Sequence, residues 1–134
     1  GVSLKFNALP EVVMGKRVVL VDDTIVRGTT SRPIVQLLRS AGAAEVHMRV
    51  HAPPMMWPCY LGVDLARRED LIAARMSVPE VGEFIGADSI GYLSLDGLLR
   101  AIDLPRAGFC TGCLTGNYPV PMQLGLDKLL LERV

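Results

Sequence analysis

Two adjacent carboxylates followed by a loop of glycine and hydroxyl residues are the part of this chain best suited to chemistry. Asp22 and Asp23 can bind a divalent cation or a sugar, since carboxylate oxygens coordinate cations and accept hydrogen bonds from hydroxyl groups. Shortly afterwards, Gly28, Thr29, Thr30 and Ser31 offer backbone amides and hydroxyls that can hold an anion. Carboxylates beside an anion cradle suit a sugar phosphate and its metal ion.

A short apolar strand must place these carboxylates. The stretch from Arg17 to Val21 is predicted to be a strand, because a β-branched run bounded by turn residues is typical of a central parallel strand covered on both faces. Ligands of open α/β sheets bind at the carboxyl ends of such strands, which is where Asp22 and Asp23 lie. The two side chains alternate in direction, so they need not play the same part.

A helix is predicted to follow the loop, from Arg32 to Ala41, with a hydroxyl cap from Thr29, Thr30 or Ser31. The loop lacks the lysine of a P-loop and the three-glycine spacing of a dinucleotide fingerprint, so both of those nucleotide-binding motifs are excluded. An ordinary strand–turn–helix connection with a capped helix stays open as an alternative at this point.

The rest of the chain alternates strands with helices, which predicts an α/β fold with a parallel sheet and right-handed βαβ crossovers. Two further strands are predicted, Glu45 to Val50 and Ser89 to Leu93. Predicted helices lie near Glu69 to Ala74, from Ser77 to Gly86, from Leu95 to Ile102 after Ser94, and from Leu124 to Arg133, while 105–119 is predicted to be an irregular, cysteine-containing loop.

Three cysteines form a second group of candidate ligands. Cys110 and Cys113 have the C-x₂-C spacing that can chelate one metal centre, and Cys59 lies far away in sequence. Three soft ligands fit zinc, with His47 or His51 as the fourth, or an iron–sulfur cluster that needs one more thiolate. Plain thiols are the alternative, and ordinary packing is the favoured role of both histidines.

Composition narrows the class of protein. The chain has 134 residues, of which 50% are hydrophobic, enough for one domain with a core. Lys plus Arg and Asp plus Glu number 14 each, so neither a nucleic acid nor another polyelectrolyte is indicated as a partner. No apolar run approaches a membrane span. The odd number of cysteines argues against a secreted disulfide framework and favours a reducing cytoplasm.

The string from Val21 to Ser31 resembles the phosphoribosylpyrophosphate (PRPP) motif of type I phosphoribosyltransferases, in the variant of the amidophosphoribosyltransferase family. The resemblance implies that residues 1–134 are a single partial domain, the C-terminal part of the transferase domain, and that the glutaminase domain and earlier strands lie outside it. Further similar strings are Ala41–Val46, Ala52–Pro54, Pro58–Asp64, Glu69–Ala73, Ile85–Asp88, Leu93–Gly97 and Cys110–Pro119.

The resemblance also implies roles for the candidate residues. Asp22 and Asp23 would contact the ribose hydroxyls and Mg²⁺, and neither is expected to be a general acid or base. A structural [4Fe–4S] cluster would use Cys59, Cys110 and Cys113, with a fourth ligand outside this chain. The 5-phosphate of PRPP would be held by the loop Thr24, Ile25, Val26, Arg27, Gly28, Thr29 and Thr30.

The implied activity is that of a glycosyltransferase. Members of the family form phosphoribosylamine from PRPP and glutamine-derived ammonia in the first step of purine synthesis, and purine nucleotides typically inhibit them. The resemblance therefore implies a glutaminase domain in the same polypeptide and a homo-oligomer, and the isolated chain is expected to be inactive. A different type I phosphoribosyltransferase and a PRPP-sensing regulator stay open as alternatives.

Overall fold

The computed structural model describes residues 10–62, 67–103 and 105–121 and shows an α/β fold built on a parallel sheet. Its three strands are β1 (Arg17–Asp22), β2 (Glu45–Val50) and β3 (Ser89–Tyr92), in the order β1-β2-β3. β1 pairs with all of β2, whereas β3 pairs with the last four residues of β2. The predicted fold class, a parallel sheet connected through helices, is confirmed.

Helices and turns connect and flank the strands. The helix α2 follows β1, α3 precedes β3, and α4 follows β3. In the described ranges, no helix combines the length and apolar character needed to cross a bilayer. The helices are α1 (Pro10–Val13), α2 (Ser31–Ser40), α3 (Val78–Ile85), α4 (Leu95–Ile102) and α5 (Gly112–Thr115), and 3-10 turns lie at Arg68–Asp70, Ile72–Ala74 and Arg106–Gly108.

Local signals placed most element boundaries correctly. The predicted bounds of β2 and α4 agree with the structure, and those of β1, α2 and β3 agree within one residue. The short helix α1 was not predicted. The stretch 105–119, predicted to be irregular, contains a 3-10 turn and the one-turn helix α5. The predicted terminal helix from Leu124 to Arg133 lies outside the described residues.

Capping residues explain where α3 and α4 begin. The backbone amide and the hydroxyl of Ser77 each donate to the Glu80 carboxylate at 2.7 Å, as the capping-box spacing predicts. These hydrogen bonds hold the pKa of Glu80 below its ordinary value. Gly86 ends α3 with a φ of +79°. At α4, the Ser94 hydroxyl accepts from the Gly97 amide at 3.1 Å.

The predicted helix from Glu69 to Ala74 is wrong. Two 3-10 turns occupy this stretch, and Leu71 interrupts them with an extended backbone. Leu71 and Ile72 are neighbours in sequence and both fully buried, and the Ile72 amide donates to the Val26 carbonyl at 2.7 Å. Tertiary packing and this backbone contact therefore override the local preference for a helix.

The described part of the chain covers only one of the two faces of β1 that are predicted to be buried. β1 lies at an edge of the described sheet, and its exposed side carries Val19 and Val21, which are 60% and 63% exposed. The opposite side of the sheet faces α2 and α3. The main core lies there and consists of Ile25, Met48, Val50, Ile72, Val81 and Ile85.

One carboxylate ties three elements together. Asp88, between α3 and β3, accepts from the Val46 amide of β2 at 2.6 Å and from the Arg39 guanidinium of α2 at 2.8 Å. The Val46 amide, assisted by Arg39, holds the pKa of Asp88 below its ordinary value despite an opposing effect of burial. Arg39 also donates to the Gly86 carbonyl, so the end of α3 is joined to α2.

Met48 gives a direct test of this core. Met48→Ala should lower the free energy of unfolding by about 2–5 kcal/mol, because Met48 is fully buried and its removal leaves a cavity. In the isolated chain, Val19→Ala is the control on the exposed face of β1 and should change the free energy of unfolding by less than about 0.5 kcal/mol. Urea unfolding measures both, and equal effects would contradict the placement of the core.

Candidate functional site

A cleft of about 350 Å³ opens at the carboxyl end of β1, where the chain passes into α2. It is lined by one uninterrupted run of sequence, so its shape follows from the conformation of a single loop. Every residue that the sequence nominated for sugar-phosphate binding lies in this run. The lining residues are Asp22, Asp23, Thr24, Ile25, Val26, Arg27, Gly28, Thr29, Thr30 and Ser31.

The two carboxylates at the start of the run organise the backbone around them. Asp22 Oδ1 accepts from the Asp23 amide at 3.0 Å, and Asp23 Oδ1 accepts from the Thr24 amide at 2.6 Å. The Asp22 carbonyl accepts from the His51 amide at 3.1 Å, which extends the pairing between β1 and β2. Among the described residues, neither Oδ2 atom accepts a hydrogen bond, so each can bind a cation or accept from a hydroxyl.

Gly28 makes the turn into α2 and could hardly be another residue. Its φ is +74°, and a Cβ built on it would lie 2.9 Å from Cε1 of Phe84 and 3.1 Å from Cδ1 of Ile72. Both the backbone conformation and the close packing therefore require glycine. The Gly28 carbonyl accepts from the Arg32 amide at 3.1 Å and so begins the helical pairing.

The start of α2 differs from the prediction of a hydroxyl cap. Thr30 occupies the N-cap position with helical angles (φ −92°, ψ −45°), and its side chain accepts no capping hydrogen bond. Within residues 10–62, 67–103 and 105–121, the amides of Thr29, Thr30 and Ser31 have no hydrogen-bond acceptor. The first amides of the helix and the neighbouring hydroxyls can therefore serve an anion in the cleft.

The side chains of two residues of the run are buried. Ile25 lines the cleft, yet it is only 2% exposed and its side chain belongs to the core, so it anchors the loop. Ser31 is predicted to offer a hydroxyl donor or a cap, and it is a buried residue of the cleft lining. It is the third consecutive hydroxyl residue, after Thr29 and Thr30.

The structure also brings the three cysteines into one region. Burial raises the pKa of the Cys113 thiol, and the nearby thiols of Cys59 and Cys110 raise it further. The Cys113 carbonyl accepts from the backbone amides of Met56 and Trp57 at 3.1 and 3.0 Å. These contacts join the loop that carries Cys59 to the loop that carries the C-x₂-C pair.

Aromatic packing holds the two cysteine loops together. The Tyr118 hydroxyl donates to the Pro58 carbonyl at 2.6 Å, and the Tyr118 and Tyr60 rings meet edge to face. Gly116, with a φ of +79°, lies against Trp57, so close that a Cβ there would be 2.9 Å from the indole ring. The relative position of the cysteines therefore depends on the contacts of the neighbouring residues Tyr118 and Gly116 with the loop that carries Cys59.

The candidate metal ligands are the three cysteines and the two histidines. Nowhere in the described residues do three or more Cys, His, Asp or Glu side chains have the spacing of a metal-ion site. His47, a candidate fourth zinc ligand, has its ring nitrogens 2.7 Å from Glu45 and 2.9 Å from Ser89, which fits a packing role.

Comparisons with known proteins point to one enzyme, although no family model matches the chain. It is 56% identical over 121 residues to the amidophosphoribosyltransferase of Archaeoglobus fulgidus and 51% identical over 123 residues to that of Bacillus subtilis. Each alignment covers 89% of this chain and 26% of the relative. The chain thus spans about a quarter of the length of these curated relatives.

The similar solved structures point to the same enzyme as the sequence relatives. A glutamine PRPP amidotransferase from B. subtilis complexed with ADP and GMP superposes with a TM-score of 0.81 at 49% identity. A structure described as the allosteric regulatory enzyme of purine biosynthesis gives 0.82 at 49% identity. Both superpositions cover 89% of this chain, and they cover 27% and 26% of those chains.

Gly28→Ala should destabilise the loop through two effects. The positive φ costs an alanine about 1–2 kcal/mol, and the contact with Phe84 and Ile72 adds about 1–3 kcal/mol. Gly15→Ala is the matched control, because Gly15 has a φ of +69° and a Cβ built on it would meet nothing within 4 Å. Urea unfolding should show the larger loss for Gly28→Ala, and equal losses would contradict the packing argument.

Proposed function

The chain belongs to the amidophosphoribosyltransferase family, of whose members it spans about a quarter, and we propose that it supplies their PRPP-binding core. In the proposed reaction, ammonia derived from glutamine displaces pyrophosphate from the anomeric carbon of PRPP and forms phosphoribosylamine for purine synthesis. One observation carries the proposal: all nine residues nominated for PRPP line a single cleft at the end of a parallel strand.

The two ends of the cleft would hold different parts of PRPP. Asp22 and Asp23 would accept from the ribose hydroxyls and hold Mg²⁺ through their Oδ2 atoms. The amides and hydroxyls of Thr29 and Thr30 would donate to the 5-phosphate, and the Arg27 guanidinium would add positive charge. When bound, Mg²⁺ would neutralise charge on the pyrophosphate leaving group.

Neither carboxylate needs to move a proton in this reaction. Ammonia is already a nucleophile, so the site must mainly orient PRPP and stabilise the positive charge that develops on the ribose. The carboxylates of Asp22 and Asp23 lie where negative charge would serve both purposes. We therefore assign them positioning and electrostatic roles, with no general acid or base among them.

The carboxylate roles can be tested in a complete enzyme that contains this chain. Asp22→Asn with Asp23→Asn should lower PRPP-dependent turnover by about a hundredfold or more, because charge stabilisation in the transition state is lost. Glutamine hydrolysis should persist, since it belongs to another domain. Asp96→Asn, on α4 outside the cleft, is the control. Unchanged formation of phosphoribosylamine by the double variant would refute the assignment.

We further propose that Cys59, Cys110 and Cys113 hold a structural [4Fe–4S] cluster, with a fourth ligand from elsewhere in the polypeptide. The proposal is supported by the effect of Cys59 and Cys110 on the pKa of Cys113 and by the hydrogen bonds of the Met56 and Trp57 amides to the Cys113 carbonyl, which bring the two loops together. When bound, the cluster would fasten the loop after β2 to α5 and to the residues just before it. Deprotonated thiols would be needed, and a bound metal centre favours that form.

The cluster proposal predicts a visible signature. Anaerobic reconstitution of the complete protein with iron and sulfide should give charge-transfer absorption that Cys110→Ser with Cys113→Ser abolishes. His51→Ala is the control and should retain the absorption, since a histidine is not among the proposed ligands. Absence of the absorption, or its persistence in the double cysteine variant, would remove the cluster.

The remaining partners follow from the same assignment. The rest of a longer polypeptide would include the glutaminase domain and would cover the exposed apolar side of β1, where Val19 and Val21 lie. Purine nucleotides are proposed as ligands because a structural neighbour is described as complexed with ADP and GMP. We also propose a homo-oligomer located in the cytoplasm, with neither nucleic acid nor membrane as a partner.

A further inference from the structure

Asp70 lies outside the cleft but contacts it through Arg27. The Arg27 guanidinium donates through Nη2 to Asp70 Oδ2 at 2.9 Å, although the two residues are 43 positions apart. Arg27 lines the cleft, and its side chain is 58% exposed, so packing does little to restrain it. The carboxylate of Asp70 is therefore the main restraint on where this cation lies.

The segment around Asp70 also shapes the neighbouring residues of the loop. The Ile72 amide donates to the Val26 carbonyl at 2.7 Å, and the Ile72 side chain packs beneath Gly28. Three consecutive loop residues, Val26, Arg27 and Gly28, are thus each held from the stretch 70–72. A backbone hydrogen bond, an ion pair and an apolar contact act on them in turn.

We propose that Asp70 is a positioning residue for PRPP, acting through Arg27, an inference that rests on the proposed function. A guanidinium has five N–H donors, and the ion pair occupies the donors of one nitrogen, so others remain for a phosphate oxygen. An exposed arginine loses conformational freedom when it binds a ligand. Because Asp70 already holds the guanidinium at the edge of the cleft, Arg27 loses less conformational entropy when PRPP binds.

Asp70 also has an opposing electrostatic effect, so the direction in which PRPP affinity changes when the carboxylate is lost tests the proposal. Its negative charge reduces the attraction that Arg27 exerts on an anion. If charge neutralisation were its main effect, loss of the carboxylate would strengthen PRPP binding. If preorganisation of Arg27 is the main effect, as we propose, loss of the carboxylate weakens binding.

The experiment is Asp70→Asn in the complete enzyme, with the KM for PRPP, kcat and glutaminase activity measured together. We expect KM to rise about fivefold, the size typical of a half-exposed ion pair, while kcat stays nearly constant. A nearly constant kcat shows that the PRPP-binding domain of the variant is folded, and intact glutaminase activity shows that the other domain is unaffected. Asp70→Glu should recover part of the loss, because it restores the carboxylate.

A matched control tests whether the rise in the KM for PRPP is specific to Asp70 or follows from the loss of any surface ion pair. Glu45 pairs with Arg17 at 2.7 Å and its side chain is 41% exposed, as is that of Asp70. Glu45→Gln should leave the KM for PRPP unchanged, because neither partner lines the cleft. A rise in KM equal to that of Asp70→Asn would overturn the proposal.

Arg27→Gln tests the route of action. In the Arg27→Gln background, Asp70→Asn should cause no further loss of PRPP affinity measured by calorimetry, since the partner is already gone. An equal loss in both backgrounds, or a lower KM in Asp70→Asn alone, would overturn the inference. Failure of the proposed function would look different, because the parent enzyme would then not bind PRPP at all.

Discussion

The site depends on one constraint: the loop between β1 and α2 must turn sharply while its underside is packed against the core. Ile25 fixes the loop from within, since its side chain is buried among residues of β2 and α3. Gly28 turns above Phe84 and Ile72 with no room for a side chain. With its underside fixed, the loop presents carboxylates at one end and amides at the other.

Most of this site was predictable because it is contiguous in sequence. The strand, the two carboxylates and the Gly-Thr-Thr turn follow one another, so local signals identify the whole lining of the cleft. Helix boundaries were predictable for the same reason, as the Ser77–Glu80 capping box shows. Thr30 is the exception. Threonine is favoured at an N-cap because its hydroxyl accepts from a backbone amide of the first turn, but Thr30 has helical backbone angles and makes no such hydrogen bond.

The errors arise where distant residues decide the outcome. Leu71 and Ile72 are both fully buried and the Ile72 amide donates to the Val26 carbonyl, so contacts with distant residues replace the expected helix. The apolar composition of β1 indicates burial on both faces, and the described elements supply the cover of one of them. The ion pair of Arg27 with Asp70 has no local signal, since charged residues 43 positions apart pair only through the fold.

The 3-10 turn Arg68–Asp70 stands between the two candidate sites and contacts both. Arg68 lies over the Trp57 ring at 4.1 Å and donates to the Met56 carbonyl, on the side of the cysteine loops. Asp70 contacts Arg27 of the loop between β1 and α2. Exposed contacts of these kinds stabilise a protein by only about 1 kcal/mol each, so they cannot place the turn by themselves. The buried side chains of Leu71 and Ile72, which follow directly, must therefore fix the position of the turn. The two residues that replace the predicted helix thus also determine how the turn lies between the two candidate sites.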